Sequence, residues 1–495
     1  MVWTSWILAA IYAIMLLQAF VWYKKTTTAK VYISSDRKTS TSAAVVSAQM
    51  TATTIPLFLI MPQVVMSEGG LIKGIIISVF VIAGTVAAYL LMAERLRIYS
   101  EITGDCRTVP SYISSRFKDS TGWLRAFSAS LTTVFMVLLA SYAIATAANI
   151  TSMTFGLSKV SASLLVSVGS VFFLYLGGIS ASIFADRLRS LVVLGTVIAV
   201  FGFILVELIV GNNDHSSVRM IPDMIRSQSI SAESIVSCIG IALGCFGFPS
   251  VIKRFLLIKE RKPSKRFCVP TLIWSVICSA GVLLISYMVL SEPSVTAFMQ
   301  EFLGSLENGQ SVVIFNAVID SLLFVSLLIL LMAITDGAIL AAAATFSADI
   351  FNTSLTHETD EKKRLISNKI TVVITGFAAF LLALGEETLS IMEPDFIWAT
   401  MGACFGPVIL FSLYCRRLTS RGAVASMTTG LLVVLIWKFI LSSLGGIFSL
   451  YELIPGFLLS TVVLYTVSYI DRQKPTPQML NEFGRMREMV KMQRK

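Results

Sequence analysis

Apolar residues fall into thirteen long runs, at 3–22, 41–64, 72–93, 126–148, 160–178, 190–210, 234–256, 268–291, 319–348, 370–385, 396–414, 423–443 and 450–470. Runs of roughly 20 apolar residues are long enough to cross the hydrocarbon core, and helices satisfy their own backbone groups in lipid. The alternating ten-residue segments of a transmembrane barrel are missing from the pattern. The run at 41–64 is the least regular, being rich in Ser and Thr and carrying Pro56 and Pro62. The longest polar connections, 94–125, 211–233 and 292–318, leave no room for an enzyme module, and the charged tail after Asp471 reads as a surface helix.

Lys and Arg alternate between the connections. Lys24, Lys25, Lys30, Arg37 and Lys38 follow the first run, and Arg95, Arg97, Arg107, Arg116, Lys118 and Arg125 the third. Arg187 and Arg189 follow the fifth, Lys253, Arg254, Lys259, Arg261, Lys262, Lys265 and Arg266 the seventh, Lys362, Lys363 and Arg364 the ninth, and Arg416, Arg417 and Arg421 the eleventh. Odd-numbered exits are therefore expected to face the cytoplasm, with the N-terminus outside and the C-terminus inside.

Composition agrees with this class. Of the 495 residues, 55% are hydrophobic and 14% charged, and mean hydropathy is +0.80. Soluble proteins carry about 25% charged residues. The net charge of +10 is explained by membrane orientation, and no nucleic-acid motif accompanies it. The seven cysteines form no CxxC pair, which argues against a disulfide framework or zinc site. The first run lacks a basic leader and cleavage signal and ends in Tyr23-Lys24-Lys25, as a retained helix does. His215 and His357 lie in connections, so the pattern gives no support to a histidine proton relay or haem.

Asp336 has more than ten apolar-flanked positions on either side. A bare carboxylate at that depth would be neutralised by a proton or a bound cation, and either suits ion coupling. A hydrogen bond to Thr335 or a carbonyl is the structural alternative. Ser47 to Pro56 packs hydroxyl and small residues ahead of a proline that interrupts the helix ladder. Broken helices near the midplane bind solutes and ions in secondary transporters, and small residues also permit close helix packing. Thr51, Thr53 and Thr54 give a hydroxyl-rich lining for a polar solute, with Pro56 beside them. Gly244-Cys245-Phe246-Gly247-Phe248-Pro249 is a second interruption, whose Phe246 either lines a solute site or packs. Glu386, Glu387, Glu393 and Asp395 cluster at an outer connection, as a solvated face or weak cation attractor. No transmembrane Arg or Lys stands out as partner for a charged substrate.

Several motifs together resemble the sodium:solute symporter family, and within it the bacterial proline permease branch. They are Tyr32 to Arg37, Glu94-Arg95-Leu96-Arg97-Ile98-Tyr99, Thr108-Val109-Pro110-Ser111-Tyr112 with Arg116-Phe117, and Gly177-Gly178 with Asp186. Gly244 to Pro249 with Arg254-Phe255 is another, as is Gly402-Ala403-Cys404-Phe405-Gly406-Pro407 with Tyr414 and Gly422-Ala423. The resemblance implies an all-α inverted-repeat transporter. Residues 1–40 would form a peripheral helix and cytoplasmic loop, 41–230 and 231–420 two inverted five-helix repeats, 421–470 peripheral helices and 471–495 a cytoplasmic tail. It also implies ion-coupled symport of a small organic solute such as proline or another amino acid, in a bacterial inner membrane in contact with lipids.

The sodium site implied by the resemblance uses carbonyls near Met50 and Thr53 and a hydroxyl pair just after Met332. That pair reads Ala333 and Ile334 here, so both hydroxyl ligands are missing, and the branch's second-helix aspartate reads Ala52. Three expectations compete: a relocated sodium site at Thr335 and Asp336, proton coupling through Asp336, or an uncoupled facilitator or solute sensor.

Overall fold

The computed structural model describes residues 2–35, 39–67, 71–210, 231–258, 264–291, 314–355, 360–385, 393–472 and 475–494. Within these, each of the thirteen apolar runs falls mainly on helix. In chain order the α-helices are α1 (Val2–Lys25), α2 (Ala29–Ser34), α3 (Thr41–Ala52), α4 (Met61–Ser67), α5 (Leu71–Ala88), α6 (Glu94–Ile102), α7 (Val109–Phe117), α8 (Trp123–Phe155) and α9 (Lys159–Val210). They continue as α10 (Ala232–Leu243), α11 (Pro249–Leu257), α12 (Ser264–Ser291), α13 (Ile314–Thr345), α14 (Glu361–Ala383), α15 (Pro394–Ser412), α16 (Ser420–Ile436), α17 (Leu453–Ile470) and α18 (Pro477–Arg494).

Among the described residues, nine helices are long and apolar enough to span a membrane. The number is ten when Ala232–Phe246 and Pro249–Leu257, bent by 42° to each other, count as one span. The runs at 3–22, 190–210 and 268–291 lie on α1, the second half of α9 and α12. Helices α13, α8 and α9 pack together at the centre, with α3 and α11 against them. The outer faces carry exposed apolar side chains such as Leu191, Ile198, Phe377, Leu458 and Val462, as expected of surfaces that meet lipid.

Helix α9 departs from the expected pattern. Its only non-helical residue is Gly178, at φ 55° and ψ −144°, a conformation that L side chains avoid. A Cβ there would sit 2.6 Å from the Tyr32 carbonyl oxygen. Beyond Gly178 the helix runs unbroken through residues 179–189, which the sequence pattern assigns to a cytoplasmic connection. The reason is physical: that stretch has no helix breaker after Gly178, so its polar residues ride on the helix instead of ending it.

The tail helix α18 buries Met479, Phe483, Met486 and Val490 and packs on α6, and Lys118, just after α7, reaches Glu482 at 2.6 Å. On the opposite ends of α15–α17, Lys438 lies 3.5 Å from Glu393 and 3.6 Å from Asp395. Glu386 and Glu387 fall outside the described residues. Glu452, just before α17, is buried beside this cluster.

Candidate functional site: a buried charge network beside two broken helices

The span at 42–65 leaves α-helical geometry at Thr53. Residues Thr54–Ile60 form a π-helical segment around Pro56, which has no N–H to give, and the Met61 N–H closes five residues back on the Pro56 carbonyl. The Thr53 hydroxyl donates to the Gln49 carbonyl at 2.7 Å, and the Thr54 hydroxyl donates to the Met50 carbonyl. The Thr53 carbonyl accepts the Leu57 N–H at 2.9 Å. The hydroxyls expected to line a polar cavity are thus turned back onto their own helix. The side chain of Thr51 lies outside the described ones.

The second interruption lies between α10 and α11. Gly244–Phe246 forms a 3-10 turn, and Phe246 is buried in it. Gly247 packs so closely on α15 that a Cβ would lie 2.6 Å from the Met401 carbonyl oxygen and 2.7 Å from the Gly406 nitrogen. The Trp398 indole donates to the Ile241 carbonyl at 2.8 Å. The π-helical segment packs on the same α15, so one helix backs both breaks.

Beside the breaks, three helices contribute one connected set of buried charges, and a fourth adds a hydroxyl. Asp336 on α13 is 1% exposed and is ion-paired with Arg189 on α9, whose side chain is equally buried. Arg189 also reaches Asp186 at 3.4 Å, one helical turn back. The other Asp186 oxygen lies 3.4 Å from Arg254 on α11 and accepts the Ser47 hydroxyl of α3. Arg254 Nε in turn donates to Ser47 Oγ at 2.9 Å, and its Nη1 to the Ser250 carbonyl at 2.9 Å. Two carboxylates and two guanidiniums balance.

Two sequence expectations are corrected here. Asp336 is not a bare carboxylate, since Arg189 crosses to it. Arg189 and Arg254 are not loop charges either. Arg187 is exposed and reaches Ser40, as a flanking charge should, but Arg189, two positions on, faces inward at helical spacing. Asp186 and Arg189 at i and i+3, with apolar sequence before and after and no turn residue between, are the signal that points to a buried pair.

The other expected cation ligands make no contact with these charges. Met50 and Ala333 share an apolar cluster with Val193 and Leu330, flanked by Phe58 and Trp274, and Ile334 belongs to the main core. Thr335 spends its hydroxyl on the Leu331 carbonyl at 2.9 Å. Among the described residues no group of three or more His, Cys, Asp or Glu is placed to hold a metal ion. His215 and His357 lie outside the described residues.

A further buried carboxylate, Asp349, sits near the helix ends on the Lys- and Arg-rich side. It accepts Arg125 Nε at 2.8 Å and the Thr108 hydroxyl at 2.6 Å. Both partners and Asp349 line a cavity of about 330 Å³ with Arg107, Glu361 and Arg364.

The model of the sodium:solute symporter family matches residues 32–430. The chain belongs to that family. A sodium/proline symporter of Staphylococcus aureus is 25% identical over 503 residues, covering 99% of this chain and 97% of the relative. Among solved structures, a Na+-coupled sialic acid symporter in a substrate-bound outward-open state superposes with a TM-score of 0.74 at 15% identity, covering 95% of this chain and 98% of the other. A nucleobase-cation-symport-1 family transporter in a closed conformation gives 0.56 at 12% identity, over 92% of this chain and 98% of the other. These two likenesses are of fold. Family and fold are those of transporters, and this symporter-family chain is a multi-pass protein of the inner membrane. Family membership supports ion-coupled transport of a solute as the general mode.

Proposed function

We propose that the chain is a secondary carrier that moves a small organic solute of the amino-acid class across the inner membrane by alternating access. The observation that carries this reading is the backing of two broken spans by one helix, α15, beside a buried polar network. Interrupted helices meeting inside a bundle are the usual binding element of secondary transporters. The two breaks fall in the proposed repeats 41–230 and 231–420, one in the first span of each. The amino-acid class rests on the Staphylococcus aureus relatives named as sodium/proline symporters.

Purified protein in lipid vesicles tests the reading. Labelled proline is offered first and the other amino acids after it, under an imposed sodium gradient, an imposed pH gradient, and neither. Saturable uptake of one solute above protein-free vesicles is the expected result. Saturable binding with no uptake under any gradient would overturn it in favour of a solute sensor.

A further inference from the structure

We propose that Arg189 is a built-in cation: its guanidinium takes, between Asp336 of α13 and Asp186 of α9, the place that a bound sodium ion would need, and the chain handles its solute without binding sodium. The proposal rests on the carrier reading for its meaning, but its test does not depend on which solute is carried.

Three observations converge. The first is charge. Asp186 and Asp336 are 2% and 1% exposed, and two guanidiniums already compensate them. A sodium ion added to that set would leave one uncompensated positive charge in a buried position, which is strongly unfavourable. The second is ligand chemistry. Sodium is a hard cation and needs several oxygen atoms around it. The side-chain oxygens gathered here, those of Asp336, Asp186 and Ser47, are engaged by the two guanidiniums, and the neighbouring surface of α3, α9 and α13 adds Met50, Val193, Leu330 and Ala333. The hydroxyl of Thr335 and the carbonyls of Met50 and Thr53 accept or make bonds within their own helices. The third is permanence. A guanidinium does not lose its proton at any pH a cell meets, and it is covalently attached to α9. It cannot travel with the solute or be released by a falling ion gradient.

The consequence is specific. A transported cation holds helices together when bound and frees them when it leaves. Arg189 joins α9 to α13 continuously, so the occupancy of this position cannot report the sodium concentration on either side. The chain keeps the architecture of its family and replaces the exchangeable ion with a fixed one.

The test is equilibrium binding of radioactive sodium to the purified, full-length protein, without any solute. The wild type is expected to show no saturable binding. Arg189→Gln leaves Asp336 without its partner and is expected to acquire saturable sodium binding, which Asp336→Asn in the same chain should abolish. Saturable binding by the wild type would overturn the proposal. So would an Arg189→Gln protein that folds yet takes up no sodium, because the guanidinium would then not be standing in a cation's place. Should Arg189→Gln fail to fold, the wild-type measurement decides alone. Loss of the carrier reading would appear separately, as absent solute uptake by a protein whose sodium-binding behaviour is as stated here.

Discussion

Asp336→Ala is expected to cost the folded protein about 3–5 kcal/mol, and changing Arg189→Met in the same chain to return most of it. Taking away the carboxylate leaves a guanidinium at 1% exposure whose remaining ion-pair partner among the described residues is Asp186, at 3.4 Å and already shared with Arg254. Removing one partner of a buried pair is costly because the other stays charged and unsolvated, whereas replacing both by apolar groups of similar size is often neutral. Membrane insertion should be unaffected, since the apolar runs decide it. The measurement is a double-mutant cycle on unfolding in mixed detergent. A coupling of roughly 0.5–3 kcal/mol or more between the two sites is expected for groups in one network. Additive single losses would mean that the pair does not exist in the native state. The cycle also separates two causes of lost transport. If Asp336→Asn stops uptake only by stranding Arg189, the double variant should recover folding and show what the carboxylate itself contributes.

The second large effect concerns Gly247→Val. The backbone of the second break touches the backbone of α15, and a Cβ at Gly247 would lie 2.6 Å from the Met401 oxygen, 2.7 Å from the Gly402 Cα and 2.7 Å from the Gly406 nitrogen. All three are main-chain atoms, so no side chain can rotate away. The contact is reciprocal, because a Cβ at Gly402 would lie 2.9 Å from the Gly244 Cα. Overpacking of this kind typically costs about 1–3 kcal/mol. Here it also parts α15 from the break it backs. We expect a lower melting temperature for Gly247→Ala and little folded protein for Gly247→Val. Gly195→Ala, with nothing within 4 Å, serves as the control and should be neutral or slightly stabilising. Equal melting temperatures for the Gly247 and Gly195 variants would refute the close contact.

Much of the fold was legible because membrane spans are written in long apolar runs, and lipid allows few alternatives to a helix. The two interruptions were legible for a related reason: Pro56 and the Gly244–Pro249 segment break a local rule inside such runs. Asp336 stood out by the same logic. Its partner did not. Arg189 lies two residues from Arg187 in a stretch that reads as a basic connection, and a count of charges per connection cannot say which of two neighbouring arginines turns inward. Only the uninterrupted course of α9 from Gly178 onward fixes that, through the 3.6-residue period that separates the faces of Arg187 and Arg189. The pairing of Asp186 with Arg254 and Ser47 joins residues 68 and 139 positions apart, and no local pattern carries such a juxtaposition. The reversed hydroxyls of Thr53, Thr54 and Thr335 were likewise hidden, since a sequence shows a hydroxyl's presence but not the carbonyl it chooses.

The most direct measurement is counterflow in sodium-free medium. Vesicles containing the purified protein are loaded with unlabelled amino acid and diluted into the labelled form, with proline first and the other amino acids in turn, once in choline and once in sodium salts. A carrier with a fixed internal cation exchanges solute equally in both media, and Arg189→Gln makes the exchange sodium-dependent. Exchange that occurs in sodium and is absent in choline for the unaltered protein would contradict the account.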